Sequence, residues 1–136
     1  MQIVTLDFET YYAKGFGFRS HTTEEYVRDP KFEVIGLAIK ENDNETKWIT
    51  GTHEEIKKQL KEYDWKNSLV LAHNTQFDGA ILAWEYNIHA RGYLDTLCMA
   101  RAIHGVDVGG SLAVVAERYK VGVKGDEVIR AEGKYI

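Results

Sequence analysis

Asp7 and Glu9 stand two residues apart where a β-branched, apolar run, Gln2 to Leu6, comes to its end. Side chains two apart on a strand share a face, so both carboxylates are offered to one spot while Phe8 turns the other way. A second group, His73-Asn74-Thr75-Gln76-Phe77-Asp78, follows directly on the hydrophobic stretch Ser68 to Ala72. Asn74 and Asp78 lie four apart at a strand-to-helix junction, a spacing that points two side chains at one place. Each group read singly has an ordinary structural explanation. The first is two solvated carboxylates at a strand exit, and the second is an N-cap with an acidic residue in the first turn. Read together, Asp7, Glu9 and Asp78 are three hard oxygen donors, suited to Mg²⁺ or Mn²⁺. Two such ions, held roughly 3.5–4 Å apart by shared carboxylates, are the usual apparatus for hydrolysing phosphodiesters. Zinc is disfavoured: His21, His53, His73, His89 and His104 show no pairing at zinc spacing, and Cys98 has no cysteine partner.

The elements that must position these groups follow from the pattern. Gln2 to Leu6 reads as a strand buried on both faces, followed by an aromatic, glycine-containing loop from Tyr11 to Phe18. Thr22 with Glu25, and Thr52 with Glu55, have capping-box spacing. They predict a short helix through Val27 and a second helix to about Tyr63. Phe32 to Lys40 and Thr46 to Thr50 form a hairpin around Asn42-Asp43-Asn44. Ser68 to Ala72 is a short strand. Phe77 to Tyr86 is a helix whose apolar face carries Ile81, Leu82 and Trp84. A brief strand near Tyr93 and Leu94 leads to a helix through Ile103, with Asp95 or Thr96 as its cap and Asp95 a cap rather than a ligand. Ser111 caps a last helix to Tyr119. Strands early and helices alternating later give an α/β domain with a mixed sheet flanked by helices. The stretch from Ala131 to Ile136 carries no stop signal, and the chain reads as cut before an element is complete.

Composition bounds the partners. The chain of 136 residues is one domain, 1–136, with a single proline and no Gly/Ser-rich linker. No apolar run is long enough for a membrane span, and no signal peptide opens the chain, so a cytoplasmic protein is expected. Cys98, as the only cysteine, excludes an internal disulfide and is expected to be a small buried hydrophobe. Seventeen basic against 21 acidic residues leave a net charge of −4. If the partner is nucleic acid, metal ions or a small basic groove must supply the positive charge. Trp48, Trp65 and Trp84 are expected in core or edge packing. Lys57, Lys58 and Lys61 read as a solvated helix face.

With Asp-x-Glu on the first strand, Asn-x-x-x-Asp with Phe77 ahead of Asp78, Asp95-Thr96 opening a helix, and Ser111-Leu112 opening the next, the chain resembles the DnaQ-like (DEDD) exonucleases on the ribonuclease H-like fold. Leu6-Asp7-Phe8-Glu9-Thr10-Tyr11, with Thr23-Glu24-Glu25-Tyr26 and Asp29-Pro30, is most similar to the proofreading domain of bacteriophage-type family A DNA polymerases. The resemblance implies a 3′–5′ exonuclease using two divalent cations, Mg²⁺ or Mn²⁺, on a single-stranded DNA 3′ end, in a bacterial or phage-infected cell. A polymerase domain is the expected C-terminal neighbour. Asp7 would bridge the metals, Glu9 would bind the one that activates water, and Asp78 would reach the other. Thr10, Asn74 and Phe77 would hold the terminal nucleotide, and Tyr11 or Tyr12 would stack on bases or simply pack. The family's last motif, Tyr or His with Asp four residues on, occurs nowhere in this sequence. Asp107, Asp126 and Glu127 lack the preceding Tyr or His. The domain is therefore expected to lack its final helix and fourth carboxylate, and hydrolysis to be weak or nil. An exoribonuclease, or a non-catalytic nucleic-acid- or protein-binding module of the same fold, is the alternative.

Overall fold

The computed structural model describes residues 1–122. Asp126, Glu127 and the expected unfinished end at Ala131 to Ile136 lie outside them. The described chain runs β1 (Gln2–Thr10), α1 (Thr23–Arg28), β2 (Val34–Glu41), β3 (Lys47–Thr50) and α2 (His53–Leu60). A short 3₁₀ turn (Trp65–Asn67) leads into β4 (Ser68–Ala72), α3 (Thr75–Tyr86), β5 (Gly92–Asp95), α4 (Thr96–His104) and α5 (Leu112–Tyr119). The five strands make one mixed sheet in the order β3-β2-β1-β4-β5. β1 is antiparallel to β2 and parallel to β4; β3 pairs antiparallel with β2, and β5 parallel with β4. The fold is thus α/β, a five-stranded mixed sheet flanked by helices. Among the described residues no helix is long and apolar enough to cross a membrane.

The core lies on one face of the sheet. Val4, Leu6 and Phe8 of β1, Leu37 and Ile39 of β2 and Val70 of β4 pack beneath Val27 of α1, Ile56 and Leu60 of α2, and Ile81 and Leu82 of α3. The expectation that β1 is buried on both faces is therefore corrected. Ile3 is 40% exposed and Asp7 is exposed, so the strand alternates. The β-branched run reflects strand propensity rather than double burial.

Both capping boxes form as their spacing predicts. The hydroxyls of Thr22 and Thr52 accept from the amides of Glu25 and Glu55, and each glutamate carboxylate accepts from its threonine's own amide. Helix α2 stops at Leu60, short of Tyr63. The Tyr63 amide bonds back to the Leu60 carbonyl, and the Trp65 indole then donates to that same carbonyl at 2.7 Å. Trp65 is buried, but Trp48 and Trp84 are exposed. The apolar face expected of α3 is narrower than Ile81, Leu82 and Trp84 together, because Trp84 instead lies under the Arg28 guanidinium, 4.4 Å from the ring centre. Cys98 is exposed, not buried. Helix α4 buries only Ala100, and two residues along a helix is more than half a turn, which swings Cys98 outward.

Candidate functional site

Strand β1 outruns its parallel neighbour. Its pairing with β4 ends at Thr5 and Leu71, and β4 itself ends at Ala72. From Leu6 onward that edge of β1 has no strand beside it, and its amides need other acceptors. Ile3 exchanges hydrogen bonds with Asn42 on the β2 side. Strand alternation therefore turns the Phe8 amide toward the gap beyond β4. Asp78, in the first turn of α3, fills the gap: its Oδ1 accepts from the Phe8 N–H at 3.1 Å. This one contact, across 70 residues of sequence, joins the Asn-x-x-x-Asp segment to the Asp-x-Glu segment.

Asp78 is only 3% exposed. Burial penalises its charged form, the Phe8 amide partly offsets that, and the nearby Asp7 carboxylate pushes the same way as burial. The result is a carboxyl raised from the ordinary 3.8 to about 7. Asp7 sits exposed on β1, and Glu9 is half-buried one strand step further along the same face. The register with β2 slips between Glu9 and Thr10: Glu9 faces Gly36 and Thr10 faces Val34, leaving Ile35 as the extra residue of a bulge. A bulge re-aims the side chains around it, and here it falls between two of the expected site residues.

Thr10 is tied inward. The Tyr26 hydroxyl donates to the Tyr11 carbonyl at 2.5 Å, so the Thr10 hydroxyl, 2.8 Å away, must be the donor to the Tyr26 oxygen. Asn74 adopts left-handed backbone geometry, φ 72° and ψ 60°, and its side chain makes no capping bond. The helix-cap explanation of Asn74 is thereby excluded, and its amide side chain is left exposed. Phe77 is 9% exposed and belongs to the core, packing edge-on to Phe18 and stacking toward Tyr26. It supports the site from below. Tyr11 also leans on the core, with its ring 6.3 Å from Phe16.

What caps α3 instead of Asn74 is Asp95, which sequence spacing assigns only to α4. Its two oxygens accept from the amides of Asn74 and Thr75 at 2.9 and 3.0 Å, and Oδ1 also accepts from Leu97. Burial opposes the charge on Asp95, but the donations from Asn74, Leu97, Thr75 and the Cys98 thiol outweigh it and hold the carboxyl below its usual range. His73 adds a second tie. Its Nε2 lies 2.7 Å from the Gly110 carbonyl, which can only accept, so that nitrogen carries the proton; Nδ1 meets the Thr96 hydroxyl at 2.8 Å. The turn that presents Asn74 is therefore fixed from β5, from α4 and from the loop before α5. Neither Asp95's second role nor His73's could be read from the sequence, because both bridge segments about twenty or more residues apart.

Among the described residues no three His, Cys, Asp or Glu side chains are gathered tightly enough to grip an ion as they stand. The donor set nevertheless fits a hard divalent cation in chemistry and charge. A buried carboxyl whose ionisation is opposed by burial and by the Asp7 carboxylate is one that a cation would favour. The chain matches no protein-family model and no curated protein sequence.

Proposed function

We propose that this chain is the metal-binding part of a DnaQ-like 3′–5′ exonuclease domain on a ribonuclease H-like fold, acting on single-stranded DNA 3′ ends. The observation that carries the reading is the Asp78 carboxylate, buried against the backbone of the strand that bears Asp7 and Glu9. The mixed five-stranded sheet with β1 at its centre is compatible with that fold.

Asp7, Glu9 and Asp78 would hold divalent cations, Mg²⁺ or Mn²⁺, which when bound supply an activated water and charge stabilisation for the leaving 3′ oxygen. The chain's own residues do the positioning. The Phe8 amide fixes Oδ1 of Asp78 beside the strand that bears the other two acids. Asp95 and His73 lock the β4–α3 turn, so the Asn74 side chain projects from a strained backbone toward solvent, where it can accept from or donate to a terminal nucleotide. Tyr26 pins Thr10 and the Tyr11 carbonyl, which holds the end of β1 beside the acids. Phe77 backs that wall.

The alternative is a binding module of the same fold without hydrolysis. Digestion of a 3′-labelled single-stranded oligonucleotide with Mn²⁺ separates the two. Release of nucleoside monophosphate that is lost in Glu9→Ala supports the nuclease. Metal-dependent strand binding with no release moves the binding module to first place.

A further inference from the structure

Phe18 is 55% exposed, yet its ring is held by two buried rings that both lead to the site. It meets Phe77 edge-to-face with ring centres 4.6 Å apart, and Tyr26 in the same way at 5.3 Å. Phe77 immediately precedes Asp78, and the Tyr26 hydroxyl is bonded to Thr10 and Tyr11 at the end of β1. Phe18 is thus one ring away from each of the two segments that carry the carboxylates. Its neighbour Arg19 is exposed and forms no ion pair among the described residues. An aromatic ring anchored at its edge, beside an unpaired guanidinium, suits a single strand: the ring stacks on a base and the cation meets the adjoining phosphate. Trp48 supplies the contrast. It is 53% exposed, almost as much as Phe18, but sits on the edge strand β3, two strands from β1.

We infer that Phe18 is a base-stacking platform at the mouth of the site and that Arg19 contacts the backbone phosphate beside the stacked base. This rests on the nucleic-acid reading of the site. A free base ring is sequence-tolerant as a stacking partner, so the platform orders the strand without selecting its sequence.

The test is fluorescence anisotropy of labelled oligodeoxythymidine and of an abasic strand of equal length, with Ca²⁺ in place of Mg²⁺ so that the strand is preserved. Phe18→Ala is expected to bind oligodeoxythymidine about tenfold more weakly and the abasic strand as the unaltered protein does. Phe18→Trp should restore binding, and Trp48→Ala should change neither affinity. Arg19→Ala should weaken binding to both strands and reduce the slope of log affinity against log salt by about one. Unchanged oligodeoxythymidine binding by Phe18→Ala, or equal losses on both strands, overturns the platform and leaves the nuclease reading standing. If the unaltered protein binds neither strand, the nucleic-acid reading itself is overturned.

Discussion

Asp78 and Asp95 occupy matching places, each beside a helix start and each in contact with a neighbouring strand or turn, and yet their chemistry is opposite. Asp95 receives three backbone N–H donors and the Cys98 thiol, and these outweigh the burial that opposes its charge. Asp78 is far more buried, accepts from the Phe8 amide, and has the Asp7 carboxylate for company. The number of donors aimed at each carboxyl, set against burial, decides which one is held charged and which one favours its neutral form. Spacing already sets Asp78 beside the strand acids and Asp95 at a helix cap; the fold adds the burial of the first and the second helix that the other caps.

pH separates the two carboxyls most strongly. The folded Asp78 value of about 7 lies above its unfolded value near 3.8, so the folded state holds a proton that the unfolded chain has released. Its contribution to stability is fully present below about pH 4 and is lost as pH rises to about 7, by up to about 4 kcal/mol over that window. Asp78→Asn keeps an acceptor for the Phe8 amide and should remove that decline. Urea unfolding at pH 5 and pH 8 should show a drop in the unaltered protein and little difference in the variant. Asp95 has the opposite sign: its folded value is lowered, so its contribution is present above the ordinary carboxylate range and is lost on acidification.

Next in size is Asp95→Ala, which strips three amides of their acceptor and uncaps α3 and α4 together. A loss of about 2–3 kcal/mol in urea unfolding is expected. A loss equal to that of a single cap would show that only one of the two helices depends on it. Asp7→Ala is expected to leave the fold intact and move the Asp78 titration downward, read by carboxyl carbon NMR, since it removes one of the effects that raise it. An unmoved titration would mean the two acids are not coupled. Smallest is Asn74→Gly, which relieves a left-handed backbone and should stabilise the fold by about 0.5–1 kcal/mol while weakening strand binding. Destabilisation instead would show that the Asn74 side chain is needed by the fold.

Local grammar was legible in the sequence where the signal itself is local. Thr22 with Glu25 and Thr52 with Glu55 formed their boxes, Ser68 to Ala72 formed its strand with the expected bounds, and Ser111 capped α5 through the Val114 amide. The alternation that puts Asp7 and Glu9 on one face was also legible. What escaped depends on contacts between distant segments. The edge gap beside β1 that buries Asp78 exists only because β4 ends first. The burial of Phe77, the exposure of Cys98 and the anchoring of Phe18 depend on which helix face meets the sheet, which a short apolar pattern leaves open. Spacing leaves Asn74 open between a helix cap and a site residue; in the fold Asp95 and His73 hold that turn from outside, and Asn74 takes left-handed geometry with no capping bond from its side chain.

If Asp78 holds a divalent cation as proposed and Asp95 does not, Mn²⁺ titration by calorimetry near pH 7 will show binding by the unaltered protein with release of protons to the buffer, as the cation drives Asp78 to its charged form. The proposed role of Asp78 also requires that this binding is lost in Asp78→Asn. Equal Mn²⁺ affinity in the unaltered protein and in Asp78→Asn, with no proton released, would contradict it.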